Sequence, residues 1–78
     1  MDKSLGTYGK ALLSLGRAPE AREAFAEGLR ILLPFVREIP AAFRERADEL
    51  LQGYLRACAE AGEASDEALV AQARRAIR

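Results

Sequence analysis

Residues 5–34, LGTYGKALLSLGRAPEAREAFAEGLRILLP, carry the pattern that decides the fold. Leu5, Tyr8, Gly9, Leu12 and Leu15 recur at the i, i+3, i+4, i+7 spacing that gathers apolar residues on one face of a helix. Ser4 stands where an N-cap hydroxyl would accept a free first-turn N–H, and Gly16 where a left-handed residue would close the helix. Pro19 suits the first turn of a second helix, in which its missing N–H is no loss, and Glu20 and Glu23 complement the positive end of the helix dipole. Ala21, Phe25, Gly28, Leu29 and Leu32 form the second stripe. Pro34 cannot donate to the carbonyl of Arg30 and its ring crowds it, so the helix is expected to end or kink near Leu33. The stretch reads as a helical hairpin.

Working outward, Pro34-Phe35-Val36-Arg37-Glu38-Ile39-Pro40 brackets a short apolar segment between two prolines. It reads either as a last helical turn or as a bent connector lying on the core. Beyond it, Phe43, Ala47, Leu50, Leu51, Tyr54, Leu55 and Cys58 make a continuous stripe, closed by Gly62. Arg44/Asp48 and Arg56/Glu60 are spaced for i, i+4 ion pairs on the polar face. Ser65 is the expected N-cap of a last helix, with Asp66 and Glu67 in its first turn and Arg74, Arg75 and Arg78 at its end. Leu69, Ala73, Ala76 and Ile77 give that helix a thin apolar stripe, and it lacks the aromatic that Phe25 supplies in the first hairpin, Ala71 being the nearest equivalent. The expectation is an all-α fold of two antiparallel helical hairpins, with helices over 4–15, 19–33, 41–61 and 66–77. They form a single small domain over 1–78, divided into a hairpin at 1–34, a connector at 35–40 and a second hairpin at 41–78.

The two halves echo one another. Leu51, Tyr54, Cys58, Ala61 and Gly62 repeat Leu5, Tyr8, Leu12, Leu15 and Gly16, each at a spacing of 46. Gly9 and Gly28 fall inside helices, where a glycine costs about 1 kcal/mol relative to alanine. Both lie on apolar stripes, which points to close approach of two helix backbones.

These residues resemble the tetratricopeptide repeat family. Tyr8-Gly9 is similar to that family's pairing of a bulky with a small residue in its first helix. Leu5 stands where the family has its aromatic or large apolar opener and Leu12 where it has its next aromatic, and Gly16 matches its turn glycine. Ala21, Phe25 and Gly28 match the small, aromatic, small series of its second helix, and Pro34 its closing proline displaced by one. About eight positions in roughly thirty residues fit. Leu5 replaces the opening aromatic, Ala18 the aromatic after the turn, and Gly28 an alanine. The family's period is roughly 34, so about twelve residues are inserted between the two units here.

The resemblance implies a fragment of a right-handed α-solenoid whose first helices line a concave groove for an extended peptide or a partner helix. Carried over position by position, the groove would be faced by Lys3, Gly6, Lys10 and Leu13, followed by Glu49, Gln52, Arg56 and Ala59. Lys3 and Lys10 share one face and could grip an acidic motif, although the asparagine of the family's carboxylate clamp has no counterpart. Gly6 and Gly53, off the main stripes, could admit a ligand close to the backbone. About three such units are usually needed for a stable stack. With two, the chain either belongs to a longer array, completes its core with another copy or another protein, or closes as a four-helix bundle. Phe35, Val36, Phe43 and Tyr54 are the expected oligomer interface.

Composition narrows the chemistry. Twelve Lys and Arg balance twelve Asp and Glu in 78 residues, which leaves no net field to attract nucleic acid or an anionic membrane. The 50% hydrophobic and 31% charged composition is that of a globular chain. No apolar run reaches the ~20 residues of a membrane span. Met1, Asp2 and Lys3 lead straight into a helix, so no signal-like segment is expected. One cysteine makes no internal disulfide, and a reducing cytoplasm follows as the default.

There is no histidine, so the commonest general base and metal ligand is missing, and Cys58 on an apolar stripe reads as a buried small residue. Glu45 and Glu49 lie on a polar face, and no glycine-rich phosphate loop occurs. The expectation is a non-catalytic protein-interaction or scaffold module without cofactor or metal, of bacterial-type cytosolic machinery, binding a peptide or protein partner, possible acidic chemistry included. The alternatives are a homo-oligomerising structural domain and a nucleic-acid-associated one using Arg74, Arg75 and Arg78 with Arg44 and Arg46.

Overall fold

The computed structural model describes residues 5–77, which form four helices and no strand: α1 (Leu5–Ser14), α2 (Ala18–Glu38), α3 (Pro40–Ala61) and α4 (Glu67–Ile77). Lys3, Ser4 and Arg78 lie outside the described residues, and with them the expected Ser4 cap. Each helix packs on the next, and α2 and α3 share the largest interface, an arrangement compatible with two helical hairpins. α1 also touches α3, and α2 touches α4. No helix among the described residues is long and apolar enough to cross a membrane.

Both hairpin turns close in the same way. Gly16 and Gly62 adopt left-handed φ values of 76° and 70°. At the first, the N–H of Arg17 bonds the carbonyl of Leu12 at 2.9 Å and that of Gly16 bonds Leu13 at 3.0 Å. At the second, Glu63 bonds Cys58 at 3.0 Å and Gly62 bonds Ala59 at 3.2 Å. Each turn thereby satisfies carbonyls that the helix end would leave open, the arrangement glycine favours at that position.

The segment at 35–40 is not a separate connector. α2 runs through Pro34 to Glu38, so the boundary expected near Leu33 is displaced by more than a turn. Pro34 and Arg30 are exposed, which places the unbonded carbonyl where water reaches it. Leu33 and Val36, on the other side, are buried, and burying each such side chain contributes about 1.5–3 kcal/mol, comparable with the proline penalty.

The helix stops at Ile39 instead. Its φ of −133° and ψ of 72° fit the extended bias of a residue before proline, and Pro40 opens α3 at once. Phe35 and Phe43 face each other across this corner, ring centroids 5.8 Å apart and tilted by 50°.

Expected stripes and observed burial agree along α2, α3 and α4. Ala21, Phe25, Leu29, Leu50, Leu51, Tyr54, Cys58, Leu69 and Ala73 share one core. The exception is α1: Gly9 and Leu12 are buried, whereas Tyr8 and Leu15 are exposed. In α4, Ala71, the expected counterpart of Phe25, is exposed, and Ala73 is buried instead. The loop at 62–66 is longer than its counterpart after α1 and shifts the register of the helix that follows.

That loop is tied down from two helices. The backbone N–H of Asp66 donates to the phenol oxygen of Tyr54 at 2.7 Å. Arg22 of α2 lies 5.6 Å from the Tyr54 ring centroid and donates to the carbonyl of Ala64 at 2.8 Å. Burial opposes the Arg22 charge, but Cys58, Tyr54 and Glu63 around the guanidinium outweigh it and leave the pKa above its ordinary value. The cap of α4 is Asp66 rather than Ser65: its Oδ1 accepts the N–H of Ala68 at 3.0 Å and of Leu69 at 3.2 Å.

Candidate binding cleft

Phe25 decides the geometry between α1 and α3. Its side chain projects from α2 between the two helices and meets a glycine on each, Gly9 on one edge of the ring and Gly53 on the other. A Cβ on Gly9 would stand 2.8 Å from the Phe25 ring, and one on Gly53 closer still. The two glycines let both backbones approach a flat, fully buried ring. Gly53 therefore receives Phe25, not a ligand as its off-stripe position suggested.

Beside this wedge the surface opens into a cleft of about 390 Å³. Gly6, Thr7 and Lys10 of α1 form one wall, and Arg46 and Glu49 of α3 form the other. The floor is Phe25, Gly28, Leu32 and Leu50, and Ile31 of α2 closes the rim with more than half its surface exposed. Each wall thus brings a cation to an apolar floor, and the α3 wall adds the carboxylate of Glu49 one turn from Arg46. Ion pairs among the described residues join Arg17 to Glu20, Arg22 to Glu23 and Glu63, and Arg56 to Glu60. Lys10, Arg46 and Glu49 take part in none of them. Such a site can seat an apolar side chain and hold a carboxylate above it.

Of the residues expected in a groove, Gly6, Lys10 and Glu49 line the cleft. Leu13 is half-buried and packs against the core. Gln52, Arg56 and Ala59 are exposed but lie outside the lining, and Arg56 is engaged with Glu60 at 3.0 Å, as their spacing implied. The parallel pair Arg44/Asp48 makes no such bridge. Arg46, Ile31 and Gly28 were not anticipated here; the available signal was that Arg46 stands one turn before Glu49 on the same helix.

The expected oligomer interface needs correction. Val36 and Tyr54 are buried to 0% and 1% exposure, so neither can meet another molecule. Their apolar character serves the α2–α3 contact and the anchoring of the 62–66 loop. Phe35 is about half exposed and Phe43 half-buried, and the pair covers the α2–α3 corner. Of the arginines Arg44, Arg46, Arg74 and Arg75, Arg46 lines the cleft, Arg74 and Arg75 line a separate shallow hollow with Leu55 and Glu67, and Arg44 lines neither. Compared with protein-family models, curated proteins and solved structures, the chain gives no match.

Proposed function

We propose that this chain is a non-catalytic protein-interaction module that holds a short acidic peptide segment of a partner protein in the cleft between α1 and α3. The observation that carries the reading is the placing of Lys10 and Arg46 on opposite walls of a cleft floored by Phe25 and Leu50. An apolar side chain of the peptide fills the floor, and its carboxylate lies between the two cations, where partial desolvation strengthens each contact. The resemblance of residues 5–34 to tetratricopeptide repeats supports the same conclusion, since first helices line the groove in that family. A reducing, cytoplasmic setting accords with a single buried cysteine.

The test is a fluorescence-anisotropy titration with an acidic peptide carrying one leucine or phenylalanine. Lys10→Glu and Arg46→Glu should each weaken binding by about tenfold or more. Gln52→Ala and Arg56→Ala, outside the cleft, should leave it unchanged. Binding that survives both charge reversals would place the peptide elsewhere.

A further inference from the structure

Gly9 of α1 and Gly53 of α3 meet the two edges of the Phe25 ring and so stand at one level of the cleft. Phe25 lies against Gly53 and Phe35 against Phe43, so α3 runs back along α2. α1 turns back into α2 at Gly16, and α1 and α3 therefore point the same way. Residues of the two walls are thereby ordered by their count from the glycines. Lys10 follows Gly9 by one residue, whereas Glu49 and Arg46 precede Gly53 by four and by seven. At 1.5 Å per residue, Glu49 stands about 6 Å and Arg46 about 10 Å to one side of that level, with Lys10 about 1.5 Å to the other.

The order along the cleft is thus cation, anion, cation: Lys10, Glu49, Arg46. All three are exposed, and the ion pairs of the described residues involve none of them. Among the described residues that line the cleft, Glu49 is the one acid. A carboxylate lodged between Lys10 and Arg46 therefore has Glu49 beside it. Like charges brought together cost affinity, and a segment with acidic residues only meets that cost at each of them. A segment with a basic side chain near its carboxylate brings a cation to Glu49 instead, and all three charges of the cleft are matched.

We infer that Glu49 is the specificity residue of the cleft and selects a mixed-charge segment, an inference that rests on the reading of the cleft as a peptide site. The segment carries an apolar anchor, a carboxylate for Lys10 and Arg46, and a lysine or arginine that pairs with Glu49. In an extended peptide, residues two apart share a face and lie about 7 Å from one another. Glu49 is about 7.5 Å from the level of Lys10 and about 4.5 Å from that of Arg46, so a base two residues from the acid spans the same interval. Segments that are wholly acidic are refused. The floor of Phe25 and Leu50 sets which side chain is buried, and Glu49 sets the charge that accompanies it.

The test is an anisotropy titration of the full chain with three labelled peptides that share one leucine and one aspartate. They differ two residues from the aspartate, where they carry lysine, glutamine or glutamate. The wild-type chain should bind the lysine peptide about fivefold more tightly than the glutamate peptide, with glutamine between. Glu49→Lys should invert that order, and Glu49→Gln should remove it. Glu38→Lys, the same change of charge at an exposed position outside the cleft, should keep the wild-type order. An order that survives Glu49→Lys, or that Glu38→Lys inverts as well, overturns the role of Glu49 and leaves the cleft standing. So does a wild-type chain that prefers the glutamate peptide or treats all three alike. A wild-type chain that binds none of the three overturns the peptide reading of the cleft, and this inference with it.

Discussion

Phe25 and Gly53 meet with no side chain between them: the ring edge occupies the space that a Cβ on Gly53 would need. Gly9 abuts the opposite edge, so a ring displaced from one glycine is driven into the other. Alanine raises helix propensity by about 1 kcal/mol over glycine, and on an exposed face Gly→Ala would stabilise. Here overpacking of a buried aromatic, about 1–3 kcal/mol, opposes that gain. Gly53→Ala should therefore destabilise, with Gly9→Ala milder. Phe25→Leu combined with Gly53→Ala should lose less than the two single changes added together, a coupling read from urea midpoints. Additive losses would mean that the ring and Gly53 do not compete for the same space.

Tyr54 couples the second hairpin to pH. Burial raises its pKa above the ordinary tyrosine value, and the hydrogen bond from Asp66 only partly offsets this. The native state thus holds the phenol proton more tightly than the unfolded chain does. The associated stability is complete below about pH 10, the unfolded value, and is lost as pH climbs through the raised native one. Tyr54→Phe removes the acceptor for the Asp66 N–H and should cost about 1 kcal/mol at neutral pH. It should also flatten the alkaline fall in stability. Parallel slopes for the two proteins above about pH 10 would remove Tyr54 as the cause.

The start of α4 separates two neighbouring candidates. Asp66 accepts two first-turn N–H groups, and Ser65 accepts none. Asp66→Ala should cost about 1 kcal/mol, and Ser65→Ala only a few tenths. Thermal unfolding of the pair decides between them, and a larger loss at Ser65 would mean the helix begins one residue earlier in solution.

Helix type and most buried positions were legible because apolar periodicity records which face is covered. Leu50, Leu51, Tyr54 and Cys58 could hardly be arranged on a helix in any other way. What periodicity does not record is the neighbour. Tyr8 and Tyr54 stand in the same Leu-x-x-Tyr-x-x-Ala pattern, yet one is exposed and the other is buried beneath Arg22 of α2 and the 62–66 loop. The same holds for the cleft. Lys10 and Glu49 were placed by the resemblance to tetratricopeptide repeats, whereas Arg46 and Ile31 belong to it only because Phe25 holds α1 and α3 apart. Pro34 misled for a different reason: the penalty of a helical proline depends on whether the orphaned carbonyl faces water, a tertiary fact.

Pro34 supplies the last test. Its ring removes one hydrogen bond from the middle of α2, yet the helix continues to Glu38, and the N–H of Ile39 still bonds Phe35 at 2.8 Å. If the proline is simply tolerated, Pro34→Ala restores the bond to Arg30 and relieves the clash. The gain should be about 1–3 kcal/mol, reduced by the greater freedom that alanine gives the unfolded chain. Val36 and the Phe35–Phe43 contact lie within one turn of this point, so any bend the proline imposes also sets how α2 meets α3. A loss of stability in Pro34→Ala would show that the corner at Ile39 needs that bend. A gain would show that packing at Leu33 and Val36 holds the helix together in spite of the proline.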